Sequence, residues 1–155
     1  MAEENRGGRP SISSRFKRHL GESPFFCKII ELLLCVISVG LFTGPFNNHL
    51  MPNLNHAGII YVATCGFILI NAVIVICYLL GEKIGKKTSL TFCGLGALLC
   101  LIAGLILIND KINYQDNYIT RYEDEYLGQM MASAVFVLLA SGVFIIDIYL
   151  TNKYD

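Results

Sequence analysis

The sequence is poor in charge and has no tryptophan. Charged residues make up 15% of the 155 positions, against about 25% in typical soluble domains. The 12 basic and 12 acidic residues leave a formal net charge of zero. A chain without excess positive charge lacks the electrostatic footprint of a nucleic-acid-binding protein. Nucleic acid is therefore not a predicted partner.

The sequence also lacks the motifs that carry enzyme chemistry. It has no Gly-rich phosphate loop, no HExxH pair and no nucleophile–base pair in its polar segments. His49 and His56 have no third metal ligand nearby, which favours solvated or interfacial histidines over a metal site. We therefore expect a non-enzymatic protein with no catalytic residue, no metal, no cofactor and no evident small-molecule substrate.

What the sequence does contain is four long apolar runs. The run from Ala57 to Leu80 carries no charge, and about 20 such residues span a hydrocarbon core of about 30 Å as a helix. The predicted spans cover residues 25–43, 57–80, 89–109 and 129–150. These patterns predict an all-α membrane protein, a four-transmembrane-helix bundle with antiparallel neighbours. Its single domain, 25–150, is flanked by a disordered basic tail, 1–24, and a short tail, 151–155.

The distribution of lysine and arginine predicts the orientation of the spans. Basic residues concentrate in the N-terminal tail and in the middle loop after Gly81, whereas the outer loops hold only Lys111 and Arg121 beside five acidic residues. Positive charge favours the cytosolic side, so both termini are predicted to be cytosolic. The cations Arg15, Lys17 and Arg18 are either a patch for anionic lipid headgroups or a topology signal alone.

The second outer loop contains tyrosines at four-residue intervals, a spacing that places side chains near one helical face. The members of this outer tyrosine face are Tyr114, Tyr118, Tyr122 and Tyr126. The spacing predicts a fourth helix that begins before the membrane, near Tyr118. The face is either an aromatic belt at the headgroups or a contact surface for another protein or membrane.

A few polar residues lie inside the predicted spans. Lys28 and Glu31 share a helix face, and Asp147 falls at a similar depth in the fourth span. Ionisable groups in hydrocarbon are unfavourable unless paired, so we expect these three to clamp the first helix to the fourth; a proton or ion path is the alternative. Asn71 is predicted to form an interhelical hydrogen bond.

Small residues predict where helices approach one another, either within the bundle or in a dimer, because small side chains let helix backbones come close in lipid. The predicted helix-packing residues are Gly96, Cys100, Gly104, Ala140 and Ser141. The six cysteines all fall within or at the ends of spans, so no outer-loop disulfide is expected. Cys27 and Cys77, near one membrane face, are candidates for S-acylation; the alternative is a packing role.

Two stretches carry a resemblance to a known family. The run CKIIELLLCVIS from Cys27 to Ser38 resembles the opening helix of MARVEL-domain proteins, with a basic residue followed by Glu31. The run ASAVFVLLASGVFIIDIYL from Ala132 to Leu150 is similar to their last helix, which is rich in small residues. Unlike the synaptophysin type, the chain has no cysteines in its outer loops.

The resemblance implies work at membrane appositions. A MARVEL-like chain of this size would be an integral membrane organiser in vesicle trafficking and in membrane or cell–cell fusion, such as myoblast fusion. The alternative is a structural component of a smooth septate-type junction, and a channel or proton path is the third hypothesis. Its expected partners are the lipid bilayer and other membrane proteins or further copies of itself, in the plasma membrane or transport vesicles.

Overall fold

A computed structural model describes residues 23–47, 53–82, 84–117 and 124–154. Its helices are α1 (Ser23–Asn47), α2 (Leu54–Leu80), α3 (Lys86–Asn117) and α4 (Asp124–Tyr154). Each contains a segment long and apolar enough to cross a membrane. The predicted fold class, an all-α bundle of four transmembrane helices, is confirmed. The helices extend beyond the predicted spans at both membrane faces.

The connection between α2 and α3 is a tight turn. Gly81 ends α2 with φ 88°, in the left-handed region that glycine occupies without steric penalty. Its N–H donates to Tyr78 O at 3.1 Å, and Glu82 N–H donates to Cys77 O at 3.0 Å. At the other end of α2, the Asn53 side chain caps the helix by accepting a hydrogen bond from Asn55 N–H at 3.1 Å.

The helices pack as a ring in which α4 lies between α1 and α3, and α2 completes the circle between the same two helices. The start of α3 and the end of α4 meet where Lys86 Nζ donates to Asn152 O at 3.5 Å. Across the ring, Phe67 of α2 meets Phe144 of α4, with ring centroids 5.3 Å apart. The start of α3 and the end of α4 therefore lie on the same side of the bundle.

Pro45 is buried inside α1, two residues beyond the predicted end of the first span at residue 43. Proline removes one backbone donor, and Pro45 is close to the end of the helix, where the loss affects a single turn. The first outer connection is shorter than predicted, because α1 continues to Asn47 and α2 begins at Leu54.

The tyrosine series is divided between two helices. Tyr114 lies in α3 and Tyr126 in α4, so the prediction of one helical face through all four tyrosines is wrong. Because α3 and α4 run antiparallel, Tyr114 and Tyr126 cannot belong to one continuous helix. Tyr118 and Tyr122 lie outside the described residues, as do Arg15, Lys17, Arg18 and His49.

Candidate functional site

The centre of the candidate site is the buried ammonium group of Lys28, near the end of the bundle where α1 begins. Lys28 Nζ lies 2.8 Å from Glu31 Oε2 and 2.8 Å from Asp147 Oδ2. All three side chains are at most 2% exposed. Lys28 and Glu31 both belong to α1, whereas Asp147 belongs to α4, so the Lys28–Asp147 ion pair joins these two helices. We call Lys28, Glu31, Asp147 and Cys93 the charge cluster.

Cys93 connects α3 to the cluster, a role that the sequence analysis missed. The Lys28 ammonium donates to Cys93 Sγ at 3.1 Å, and the thiol donates to Asp147 Oδ2 at 3.2 Å. Asp147 Oδ1 accepts a further hydrogen bond from Thr151 at 3.3 Å, and Lys28 Nζ lies 5.3 Å from the centroid of the Phe144 ring. Asp147 therefore has polar partners on both of its oxygens.

Glu31 is less completely satisfied than Asp147. Its Oε1 has no hydrogen-bond partner among the described residues, and neither do Oδ1 and Nδ2 of Asn71. The Asn71 carboxamide lies beside the Glu31 carboxyl group, so the unpartnered atoms are neighbours. Asn71 of α2 therefore lies beside Glu31 of α1, where an interhelical hydrogen bond is predicted, but its polar atoms fall short of hydrogen-bond geometry.

Three of the predicted helix-packing residues, Gly96, Gly104 and Ser141, lie at the contact between α3 and α4. Cys100 and Ala140 are fully buried, and Ser141 Oγ donates to Ala97 O of α3 at 2.8 Å. A Cβ atom on Gly96 would lie 2.8 Å from the Phe144 ring, and one on Gly104 would lie 2.7 Å from Leu138. These two glycines therefore allow large side chains of α4 to pack directly on the backbone of α3.

We expect Gly96→Ala to destabilise the bundle by about 1–3 kcal/mol, the usual cost of overpacking a tight core. The added methyl group must displace the Phe144 ring, which also contacts Phe67 and lies near Lys28. Gly94→Ala is the matched control, since a Cβ there meets nothing within 4 Å. Thermal unfolding of both variants in detergent measures the difference. Equal melting temperatures would show that the Phe144 ring does not pack tightly against Gly96.

A second polar contact lies near the opposite end of the bundle. His56 Nδ1 of α2 lies 2.9 Å from Oδ1 and 3.0 Å from Oδ2 of Asp110 in α3. Asp110 is 2% exposed and His56 is partly buried. The sequence predicts a solvated or interfacial His56 and does not predict this contact between α2 and α3. Among the described residues, no group of three potential ligands could hold a metal ion.

The candidate acylation sites differ in accessibility. Cys27 is 7% exposed and faces the bundle, which makes its thiol a poor target for an acyl transfer enzyme. Cys77 is partly exposed, so its acylation stays a prediction. At the α1–α4 crossing, Ser38 Oγ donates to Ser133 O at 3.2 Å, and Ser133 Oγ donates to Ser38 O at 2.9 Å, a reciprocal contact that the sequence analysis also missed.

Fold and site together define a multi-pass membrane protein whose buried polar groups connect neighbouring helices. Comparison with protein-family models, curated proteins and solved structures found no match to this chain.

Proposed function

We propose that this chain is a non-enzymatic integral membrane organiser that acts where membranes meet, in vesicle trafficking and in membrane or cell–cell fusion. The main support is the use that the bundle makes of its polar side chains. Lys28 joins α1 to α3 and α4, Ser141 joins α4 to α3, and His56 joins α2 to α3. These polar side chains hold the helices together, and such contacts stabilise a scaffold.

The outer surface of the scaffold supports the same proposal. Large apolar side chains face outward on all four helices, as lipid contact requires. Examples are Leu33 and Val36 of α1, Val62 and Leu69 of α2, Leu98 and Leu105 of α3, and Leu139 and Ile145 of α4. This apolar belt is the surface through which an organiser meets lipids and other membrane proteins. The resemblance to MARVEL-domain proteins points to the same kind of work.

The first test of the proposal is localisation combined with a fusion assay. We expect a fluorescently tagged chain to form puncta that coincide with transport vesicles or sites of cell contact before fusion. We also expect depletion of the chain in cells that express it to reduce the number of fused, multinucleate cells. A continuous line at cell borders with normal fusion would favour the junction component instead, and a uniform distribution would contradict both.

A matched pair of glycine variants tests whether the proposed activity depends on the packed helix bundle. Gly96→Leu places a large side chain against Phe144, whereas the Cβ added by Gly94→Leu meets no atom within 4 Å. We expect the Gly94 variant to rescue depleted cells and the Gly96 variant to fail. Rescue by both would show that the packed bundle is not needed for the activity.

A further inference from the structure

The charge cluster contains one more negative group than positive groups. Its only ammonium, Lys28, contacts two carboxyl groups, Glu31 and Asp147. All three side chains are buried within membrane-spanning segments. An uncompensated charge in hydrocarbon or a dry protein interior is strongly unfavourable. The site therefore requires one additional positive charge, and a proton is the smallest ligand that can supply it.

The contacts indicate which carboxyl group takes that proton. Asp147 interacts with Lys28 and Cys93 through Oδ2 and with Thr151 through Oδ1, and such donors favour a carboxylate. Glu31 has Lys28 on Oε2 but no partner on Oε1. The oxygen free to be protonated is therefore Glu31 Oε1.

The Asn71 side chain provides an independent indication of a ligand beside Glu31. Asn71 is 0% exposed, and both atoms of its carboxamide lack a partner among the described residues. Unsatisfied polar groups in such a place are unfavourable, and the carboxamide lies next to Glu31. At about 1.5 Å per residue, Asn71 lies about 14 Å from the end of α2, and Glu31 lies about 12 Å from the start of α1. Their depths match.

We propose that Glu31 and Asn71 form a proton-binding site in which Glu31 is a neutral carboxylic acid. The proton forms an O–H bond to Glu31 Oε1, and the new hydroxyl group donates to Asn71 Oδ1, either directly after a small side-chain rotation or through one water molecule. The bound proton reduces the net charge of the cluster to zero and gives partners to atoms that have none. This site is independent of the proposed organiser function.

Several other groups surround the proposed proton. From α1, Lys28 and the thiols Cys27 and Cys35 face Glu31. From α3 and α4 the facing groups are Cys93, which bonds Lys28, and Asp147. The neighbour from α2, Asn71, is not ionisable. Among the described residues, Asp147 is therefore the other carboxyl group that could hold the proton, and the test must separate it from Glu31.

Infrared spectroscopy of the full chain in detergent micelles at neutral pH tests the site. A protonated carboxyl group gives a C=O stretching band separate from carboxylate bands, and the band moves to lower frequency in D₂O. We expect one such band for each wild-type chain and its loss in Glu31→Gln. Absence of the band from the wild type would show that the cluster holds no proton and would overturn the proposal. If the band persists in Glu31→Gln, it belongs to another group, and this result would also overturn the proposal.

Two nearly isosteric variants locate the proton. Asn71→Leu removes the proposed partner of Glu31, and Thr151→Val removes a partner of Asp147 only. We expect the band to move to higher frequency in the Asn71 variant and to stay in place in the Thr151 variant. The reverse pattern would place the proton on Asp147 and overturn the assignment to Glu31.

The charge balance itself is tested by Asp147→Asn. Removing this carboxylate leaves Lys28 with Glu31 alone, so Glu31 should lose its proton and the band should disappear although Glu31 is still present. A band of unchanged intensity would contradict the balance. If this variant does not fold, the wild-type spectrum and the Asn71 and Thr151 variants still decide the question.

Discussion

Replacing Lys28 by methionine is expected to lower the free energy of unfolding by about 3–5 kcal/mol, the usual effect of removing one partner from a buried ion pair. Methionine keeps much of the side-chain volume but removes the group that lies 2.8 Å from both Glu31 and Asp147. The buried Asp147 carboxylate then has no cation beside it. Unfolding by a denaturing detergent in mixed micelles, followed by circular dichroism, gives the free energy.

Lys87→Met is the matched control for this prediction. Lys87 is exposed at the start of α3, and exposed charges contribute little to stability, so this variant should unfold like the wild type. If Lys28→Met is equally stable, the charge cluster does not clamp α1 to α4. The same conclusion would follow if Asp147→Asn and Glu31→Gln both left stability unchanged.

Replacing Phe144 by alanine is expected to cost about 3 kcal/mol, a typical value for removing a buried aromatic ring from a core that cannot fully collapse. Phe144 is fully buried and packs on the backbone of α3 at Gly96 and on the ring of Phe67 in α2. Its loss therefore opens a cavity where three helices meet. Thermal unfolding in detergent measures the effect.

Phe26→Ala provides the comparison, since Phe26 is 50% exposed on α1. Lipid or detergent can fill the space left by an outward-facing ring, so the melting temperature should change little. A loss at Phe26 as large as the loss at Phe144 would contradict the assignment of Phe144 to the core.

The fold could be predicted because the hydrocarbon solvent imposes a simple rule. Helices that cross it must be long and apolar, and the run from Ala57 to Leu80 is recognisable from composition alone. Helix ends were harder to place. Pro45 has the usual meaning of a breaker, yet α1 continues past it. The tyrosine spacing fits a helix, but Tyr114 and Tyr126 belong to two different helices.

The candidate site was partly predictable for a geometric reason. Equal rise per residue puts Glu31 and Asp147 at similar depths, and Lys28 bridges them. Cys93 could not be recognised, because a cysteine in an apolar run is usually a packing residue. Its role depends on which face of α3 points to Lys28, and the low amphipathicity of the span gives no indication of that face.

The contact between His56 and Asp110 was missed for a different reason. The predicted third span ends at residue 109, which leaves Asp110 in an outer loop, whereas α3 extends beyond it to Asn117. Once the helix is longer, Asp110 is nearly buried and its carboxylate reaches His56 on α2. The misplaced end of the third span is therefore the reason that the contact between His56 and Asp110 was not predicted.

The most direct test of the account is the sidedness of the two ends of the chain and of the α3–α4 connection. One epitope tag fused at each end and a third inserted between Asn117 and Asp124 are exposed to protease in sealed membrane vesicles of known orientation. The account predicts that both end tags are digested or protected together and that the third tag behaves oppositely. Digestion of only one end tag would contradict an arrangement of four membrane crossings.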